Sequence, residues 1–204
     1  MDKVRNGFRK AIRAIAIGLN TATGGTLHPN VITIISFVMH IPIAFYIYTG
    51  NFYVAAGLLI FFGLFDALDG ELARLQNRAS KTGMFLDSTT DRLKEILLYI
   101  GICGYFVSVD QAIYCVWAVA ACGLGIFISY LNAWGEVVTA NSTHNPGNKK
   151  TNQQFRGGLM TFDVRMAMIA LALALNLLNL AVVAIPLLSI VTILQRYNSI
   201  SKKL

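Results

Sequence analysis

The chain has 204 residues, 55% of them hydrophobic and 13% charged, with a formal net charge of +7. Soluble domains carry roughly 25% charged residues, and a mean hydropathy of +0.59 leaves too little polar material to coat a globule in water. The bilayer is the solvent that fits this composition, and the one-sided distribution of the 17 Lys and Arg residues makes the charge a topology signal and not a nucleic-acid surface.

In chain order, Lys3, Arg5, Arg9, Lys10 and Arg13 alternate with Ile12, Ile15, Ile17 and Leu19, which predicts an amphipathic helix on the cytoplasmic leaflet. Arg13 interrupts the apolar stretch Ala11–Leu19 that a cleaved signal peptide would need unbroken. Residues 1–27 are therefore expected to be an interfacial segment, and 28–204 a membrane domain. Asn20–Asn30, rich in Gly and Thr, predicts a loop. Six apolar runs follow, each near the ~20 residues that cross about 30 Å of hydrocarbon. They are Val31–Tyr48, Phe52–Leu75, Gly83–Val107, Ala112–Trp134, Phe162–Leu180 and Val182–Tyr197, with a second loop expected at Gly135–Gly158. The connections near Thr49–Asn51, Ser108–Gln111 and Asn179–Ala181 carry no Lys or Arg, which places both termini in the cytoplasm. The expected fold is all-α and polytopic, with six transmembrane helices behind the interfacial one. Cys103, Cys115 and Cys122 lie in apolar spans without metal spacing and read as packing residues, as does His40.

Of the ten acidic residues, six fall between Asp66 and Glu95. Asp66 and Asp69 are three apart and Asp87 and Asp91 four apart, so on helices each pair shares a face. Four carboxylates at the end of an apolar hairpin need cations, and hard oxygen donors suit Mg²⁺ or Mn²⁺. Gly70 and Ala73 clear the backbone beside the first pair, and the Arg74 fork lies one turn beyond Gly70 where it can hold a phosphate oxygen. Metal ligands, a phosphate clamp and a cleared helix surface suit a nucleotide pyrophosphate.

Asp66-x2-Asp69-Gly70-x2-Ala73-Arg74-x8-Gly83-x3-Asp87-x3-Asp91 resembles the signature of the CDP-alcohol phosphotransferase family at all eight fixed positions. Upstream, Pro29-Asn30-x2-Thr33 is similar to the stretch that opens the first span in many members. The resemblance implies phospholipid synthesis: transfer of a phosphatidyl-type group from a CDP-activated lipid to a small alcohol acceptor, with CMP released. It implies two divalent cations, one on Asp66, Asp69 and Asp87 and the other on Asp66, Asp87 and Asp91, with Asp91 as general base. It also implies nucleotide contacts from Pro29, Asn30, Thr33, Asp69, Gly70, Ala73, Arg74 and Gly83, a homodimer, and an active site on the cytoplasmic side of the cell membrane.

For the acceptor, Tyr130, Ala133 and Glu136 match the stretch that closes the fourth span in inositol-phosphate-transferring members, while Asn132 and Trp134 stand where basic residues are expected. Further on, Gly158 and Arg165 fit the stretch opening the fifth span. Members using glycerol phosphate or serine usually carry Arg where Ser36 stands. A phosphorylated polyol such as inositol phosphate is therefore the leading acceptor, with Arg156, Arg165 and Asn132 as its expected contacts. Glycerol phosphate, serine or another small alcohol remains the alternative. A cation transporter is the rival class, disfavoured because Asp66, Asp69, Asp87 and Asp91 cluster at one side and the other side offers only Asp110.

Overall fold

The computed structural model describes residues 2–142 and 158–202. Those residues are helical with short connections and contain no strand: α1 (Asp2–Ala22), α2 (Pro29–Tyr48), α3 (Phe52–Leu75), α4 (Lys81–Ser108), α5 (Ile113–Ser142), α6 (Phe162–Ala174) and α7 (Leu178–Ser201). The all-α expectation holds. Two compact units divide the chain, residues 1–101 and 102–204.

In the first unit, Pro29 opens α2, where its missing N–H costs nothing, and the His28 ring accepts a hydrogen bond from the Asn30 N–H at 3.2 Å. The buried residues of α2, Ile32, Thr33, Ser36, His40, Ile43, Ala44 and Ile47, are spaced by one helix face, and α2 packs on α3. The opposite face exposes Ile34, Val38, Ile41 and Phe45. Hydroxyls and an imidazole inside with branched aliphatics outside reverse the soluble pattern, and this is the arrangement lipid requires. The amphipathic helix α1 lies on α3, with Ala16 joining Ile32, Leu68 and Leu72 in a small core. Beyond α3, Gln76 Nε2 ties this corner by donating to Asn20 Oδ1 at 2.8 Å and to the Leu27 carbonyl at 3.0 Å. The first turn of α4 is closed by Ser80 Oγ, which accepts from the Gly83 N–H at 3.0 Å. Deeper in α4, Gly101 lies so close to Ala44 that any Cβ would collide with its backbone.

The second unit packs α5 and α6 against α7. Thr161 caps α6, its hydroxyl accepting from the Val164 N–H. Four helices, Pro29–Tyr48, Phe52–Leu75, Ile113–Val138 and Leu178–Ser201, are long and apolar enough to cross a membrane. They make the chain an integral membrane protein by length and composition.

The structure moves several expected boundaries. The run Phe162–Leu180 is not one helix: α6 ends at Ala174, and Asn176 at φ 56° turns the chain over 175–177, so the connection expected at Asn179–Ala181 falls inside α7. Apolarity cannot reveal a turn set inside an apolar run, and Asn accepts the left-handed conformation more readily than most residues. With 13 residues, about 20 Å, α6 is shorter than a span. For its part, α4 has length but carries Lys81, Asp87, Asp91, Arg92, Lys94 and Glu95 in its first fifteen residues. The expected loops are shorter than predicted, because Asn20–Ala22 belong to α1, Asn30 to α2 and Gly135–Ser142 to α5. Gly135 serves close packing, since a Cβ there would reach Ile200 Cδ1 at 2.7 Å.

Candidate active site

The motif aspartates meet a polar stripe on α2. Thr33 Oγ1 donates to Asp69 Oδ2 at 2.5 Å, and one turn later Ser36 Oγ lies 3.1 Å from both Asp66 Oδ1 and the Phe62 carbonyl. His40 continues the stripe, its Nδ1 2.7 Å from the Ser36 carbonyl. Two hydroxyls three residues apart thus fix two carboxylates three residues apart, because both pairs follow the pitch of packed helices. Asp69 is 6% exposed, so without the Thr33 hydroxyl a largely buried carboxylate would lose a donor. Sequence reasoning singled out Thr33 but treated Ser36 only as the absence of an arginine; its spacing from Thr33 was the available signal.

Beside this pair opens a cavity of about 410 Å³. All eight expected nucleotide residues, Pro29, Asn30, Thr33, Asp69, Gly70, Ala73, Arg74 and Gly83, line it, and Asp87 joins them. Around Gly70 the wall is cleared, because a Cβ there would meet nothing nearer than Arg74 Nη1 at 3.8 Å. Gly83 brings α4 against α2: its Cβ would lie 3.5 Å from Asn30 Oδ1 and 3.3 Å from Ser80 Oγ. Arg74 is engaged with Glu71, through Nη2 at 2.6 Å and Nε at 3.2 Å. That pair is exposed on the Arg side, and exposed pairs contribute only about 0–1 kcal/mol, so a phosphate can take the fork at little cost. Arg78, Ser80 and Lys81 add to the lining; the sequence reading had passed over the x8 spacer that holds them.

Asp66 and Asp91 are joined by a cation of the chain itself. Lys94 is fully buried, with its ammonium 2.5 Å from Asp66 Oδ1 and 3.4 Å from Asp91 Oδ1. On the other side of Asp91, Arg92 Nη2 stands 3.9 Å from Oδ2 and Arg92 Nη1 3.7 Å from the buried Glu95. Among the described residues no three His, Cys, Asp or Glu side chains converge as a ready cage for one ion. The donor set nonetheless suits a divalent cation: hard carboxylate oxygens on two facing helices, two of which already hold an ammonium between them.

The expected acceptor residues belong to the second unit. Arg165 is fully buried and donates to the Met160 carbonyl at 2.9 Å and, more weakly, to the Gly125 carbonyl at 3.4 Å. Arg196, counted from the sequence as a topology charge, is also buried, donating to the Ile128 carbonyl at 3.0 Å. Gly158 supports this cluster: its φ of 143° favours glycine, and a Cβ there would lie 2.7 Å from Thr192 Cγ2 and 3.3 Å from Arg196 Nε. Asn132, one turn beyond Ile128, has a buried Oδ1 without a hydrogen-bond partner among the described residues. Arg156, Lys149 and Lys150 lie outside the described residues.

A profile of the CDP-alcohol phosphatidyltransferase family matches residues 26–195. The chain belongs to that family. It is 38% identical over 103 residues to an archaetidylinositol phosphate synthase of Pyrococcus horikoshii, covering 50% of this chain and 53% of that protein. It is 30% identical over 140 residues to a phosphatidylinositol phosphate synthase of Cutibacterium acnes, covering 67% and 65%. The matches thus span between about half and two thirds of these curated relatives. In fold it is similar to the crystal structure of Mycobacterium tuberculosis phosphatidylinositol phosphate synthase with CDP-DAG bound, with a TM-score of 0.76 and 21% identity over 94% of each chain. The same Mycobacterium tuberculosis protein in complex with manganese and citrate gives a TM-score of 0.75 at 21% identity, covering 93% of this chain and 88% of that one.

Proposed function

We propose that this chain transfers a phosphatidyl-type group from a CDP-activated lipid to inositol phosphate, releasing CMP. The observation that carries the reading is that one cavity unites Pro29, Asn30 and Thr33 of α2, Asp69, Gly70, Ala73 and Arg74 of α3, and Gly83 and Asp87 of α4. The cleared wall at Gly70 accepts the nucleotide, and Arg74 turns from Glu71 to a phosphate oxygen. Asp66, Asp69, Asp87 and Asp91 would hold two divalent cations, Mg²⁺ or Mn²⁺, which when bound supply charge neutralisation for the pyrophosphate. Asp91 accepts the proton of the acceptor hydroxyl. The hydroxyl oxygen then bonds to the lipid-bearing phosphorus as that phosphorus's bond to the bridging oxygen breaks, and CMP leaves with the bridging oxygen.

The acceptor assignment is supported by the names of the relatives and by two buried guanidiniums, Arg165 and Arg196, the latter beside Gly158. Arg156 and Asn132 complete the proposed acceptor contacts. Residues 1–27 form an interfacial element ahead of a domain spanning 28–204, in which α4 and α6 join the four apolar helices to make six transmembrane helices. Both termini and the site face the cytoplasm, and the protein acts as a homodimer. The first half of α4 holds the catalytic charges near the interface, while Ile96–Val107 remains apolar.

The test is CMP release by the purified chain in nanodiscs, with diacyl or ether CDP-lipid, Mg²⁺ or Mn²⁺, and a panel of inositol phosphate, glycerol phosphate, serine and inositol. The expected result is fastest release with inositol phosphate. No CMP release with any acceptor refutes the reaction, and faster release with an unphosphorylated alcohol refutes the acceptor.

A further inference from the structure

Lys94 stands apart from the family signature and from every proposed substrate contact. It is fully buried, yet it lies three residues after Asp91 on the same face of α4 and reaches across to Asp66 of α3. A buried ammonium is tolerated only with anionic partners at close range, and this one has two carboxylates from two helices, at 2.5 and 3.4 Å. Both are proposed ligands of one divalent ion. An ammonium and a divalent ion cannot use the same oxygens without strong repulsion. The flexible four-carbon stem of lysine, unlike a rigid fork, lets the charge withdraw while the backbone stays in place.

We propose that Lys94 is a positioning residue that ties Asp66 to Asp91 and competes with the divalent ion that needs both. Lys94 holds α3 and α4 together against carboxylate repulsion and weakens that ion's affinity until the negative pyrophosphate arrives to offset the extra positive charge. The second ion therefore binds well only together with nucleotide. This inference rests on the proposed metal assignment of Asp66 and Asp91.

The experiment measures Mn²⁺ binding by electron paramagnetic resonance and thermal unfolding on the metal-stripped full chain in nanodiscs, for wild type, Lys94→Met and Lys94→Arg. Wild type is expected to bind one Mn²⁺ tightly and a second weakly, with the second tightened by CDP. Lys94→Met should tighten the second Mn²⁺ roughly 10- to 100-fold without CDP, unfold at lower temperature in EDTA, and gain more stability from Mn²⁺ than wild type does. Lys94→Arg, which keeps the charge, should leave the second affinity weak. Should Lys94→Met fail to fold without metal, Lys94→Gln makes the same comparison with a donor retained. Unchanged second-site affinity in the neutral variant overturns the inference while leaving the metal assignment intact. A wild type that binds no Mn²⁺ overturns the assignment, and this inference with it.

Discussion

Thr33→Val removes a hydroxyl and puts a methyl group of the same shape in its place. What is lost is the bond from Thr33 Oγ1 to Asp69 Oδ2, 2.5 Å long, because the contact of the same hydroxyl with the Pro29 carbonyl, at 3.5 Å, contributes little. Asp69 is 6% exposed, so little of its surface is open to a replacement donor. A hydrogen bond to a charged group is worth about 1.5–3 kcal/mol, which converts to roughly a 10- to 150-fold effect. If the hydroxyl holds Asp69 toward the cavity, kcat/KM for the CDP-lipid should fall by that factor and Mn²⁺ should bind more weakly. The acceptor KM should not move. Thr33→Ser restores the donor at the cost of one methyl and should recover most of the loss. The assay is CMP release in nanodiscs with CDP-lipid and Mn²⁺ each titrated. Wild-type kcat/KM in Thr33→Val at every Mn²⁺ concentration, or a Thr33→Ser variant as impaired as Thr33→Val, would refute the reasoning.

Asp66→Ala and Asp87→Ala, each proposed to touch both ions, should abolish CMP release; recovery of wild-type rates at saturating Mg²⁺ or Mn²⁺ would remove them from the metal set. Asp91→Asn should still bind CDP-lipid while turnover falls about 10²- to 10⁴-fold, the usual contribution of a general base; full rescue by added metal would leave Asp91 as a ligand only. Arg196→Ala should raise the KM for inositol phosphate roughly 10- to 100-fold, the loss expected for a charge-assisted contact, with the KM for CDP-lipid unchanged. An unchanged acceptor KM would make Arg196 a structural cation. Arg165→Ala, which also strands the Met160 carbonyl, should lower the unfolding temperature more than Arg196→Ala does.

The part of the cavity lining that α3 supplies was legible because it is local in sequence. Asp66, Asp69, Gly70, Ala73 and Arg74 fall within three helical turns, and Pro29-Asn30-x2-Thr33 opens a helix whose first turn must face the same corner. Spacing grouped Asp69, Gly70, Ala73 and Arg74, the family resemblance implied Pro29, Asn30, Thr33 and Gly83 beside them, and these eight line the cavity. The helix breaks were not legible in the same way. Asn176 turns the chain between two leucines, and Gly135, which looked like a break, is a packing contact. Hydropathy averages over a window, whereas a turn is decided by one residue's φ and by what stands opposite it.

The buried cations expose a more general limit. Lys94 and Arg196 were assigned to topology because the positive-inside rule sorts charges by their distance along the chain from a span end. Burial is decided by helix face instead. Ser189, Thr192 and Arg196 recur at intervals of three and four and are all buried on α7, and on α4 the half-buried Asp91 is followed three residues later by the buried Lys94. The periodicity that paired Asp87 with Asp91 thus reaches Lys94 one turn further on, and the periodicity that placed Thr33 on the aspartates reaches Ser36. In a helix whose outer face is lipid, a polar residue in phase with a functional one has only the protein interior to face. Extending each motif by one turn in both directions therefore recovers Ser36 and Lys94, two side chains that hold the aspartates in place and that the signature omits.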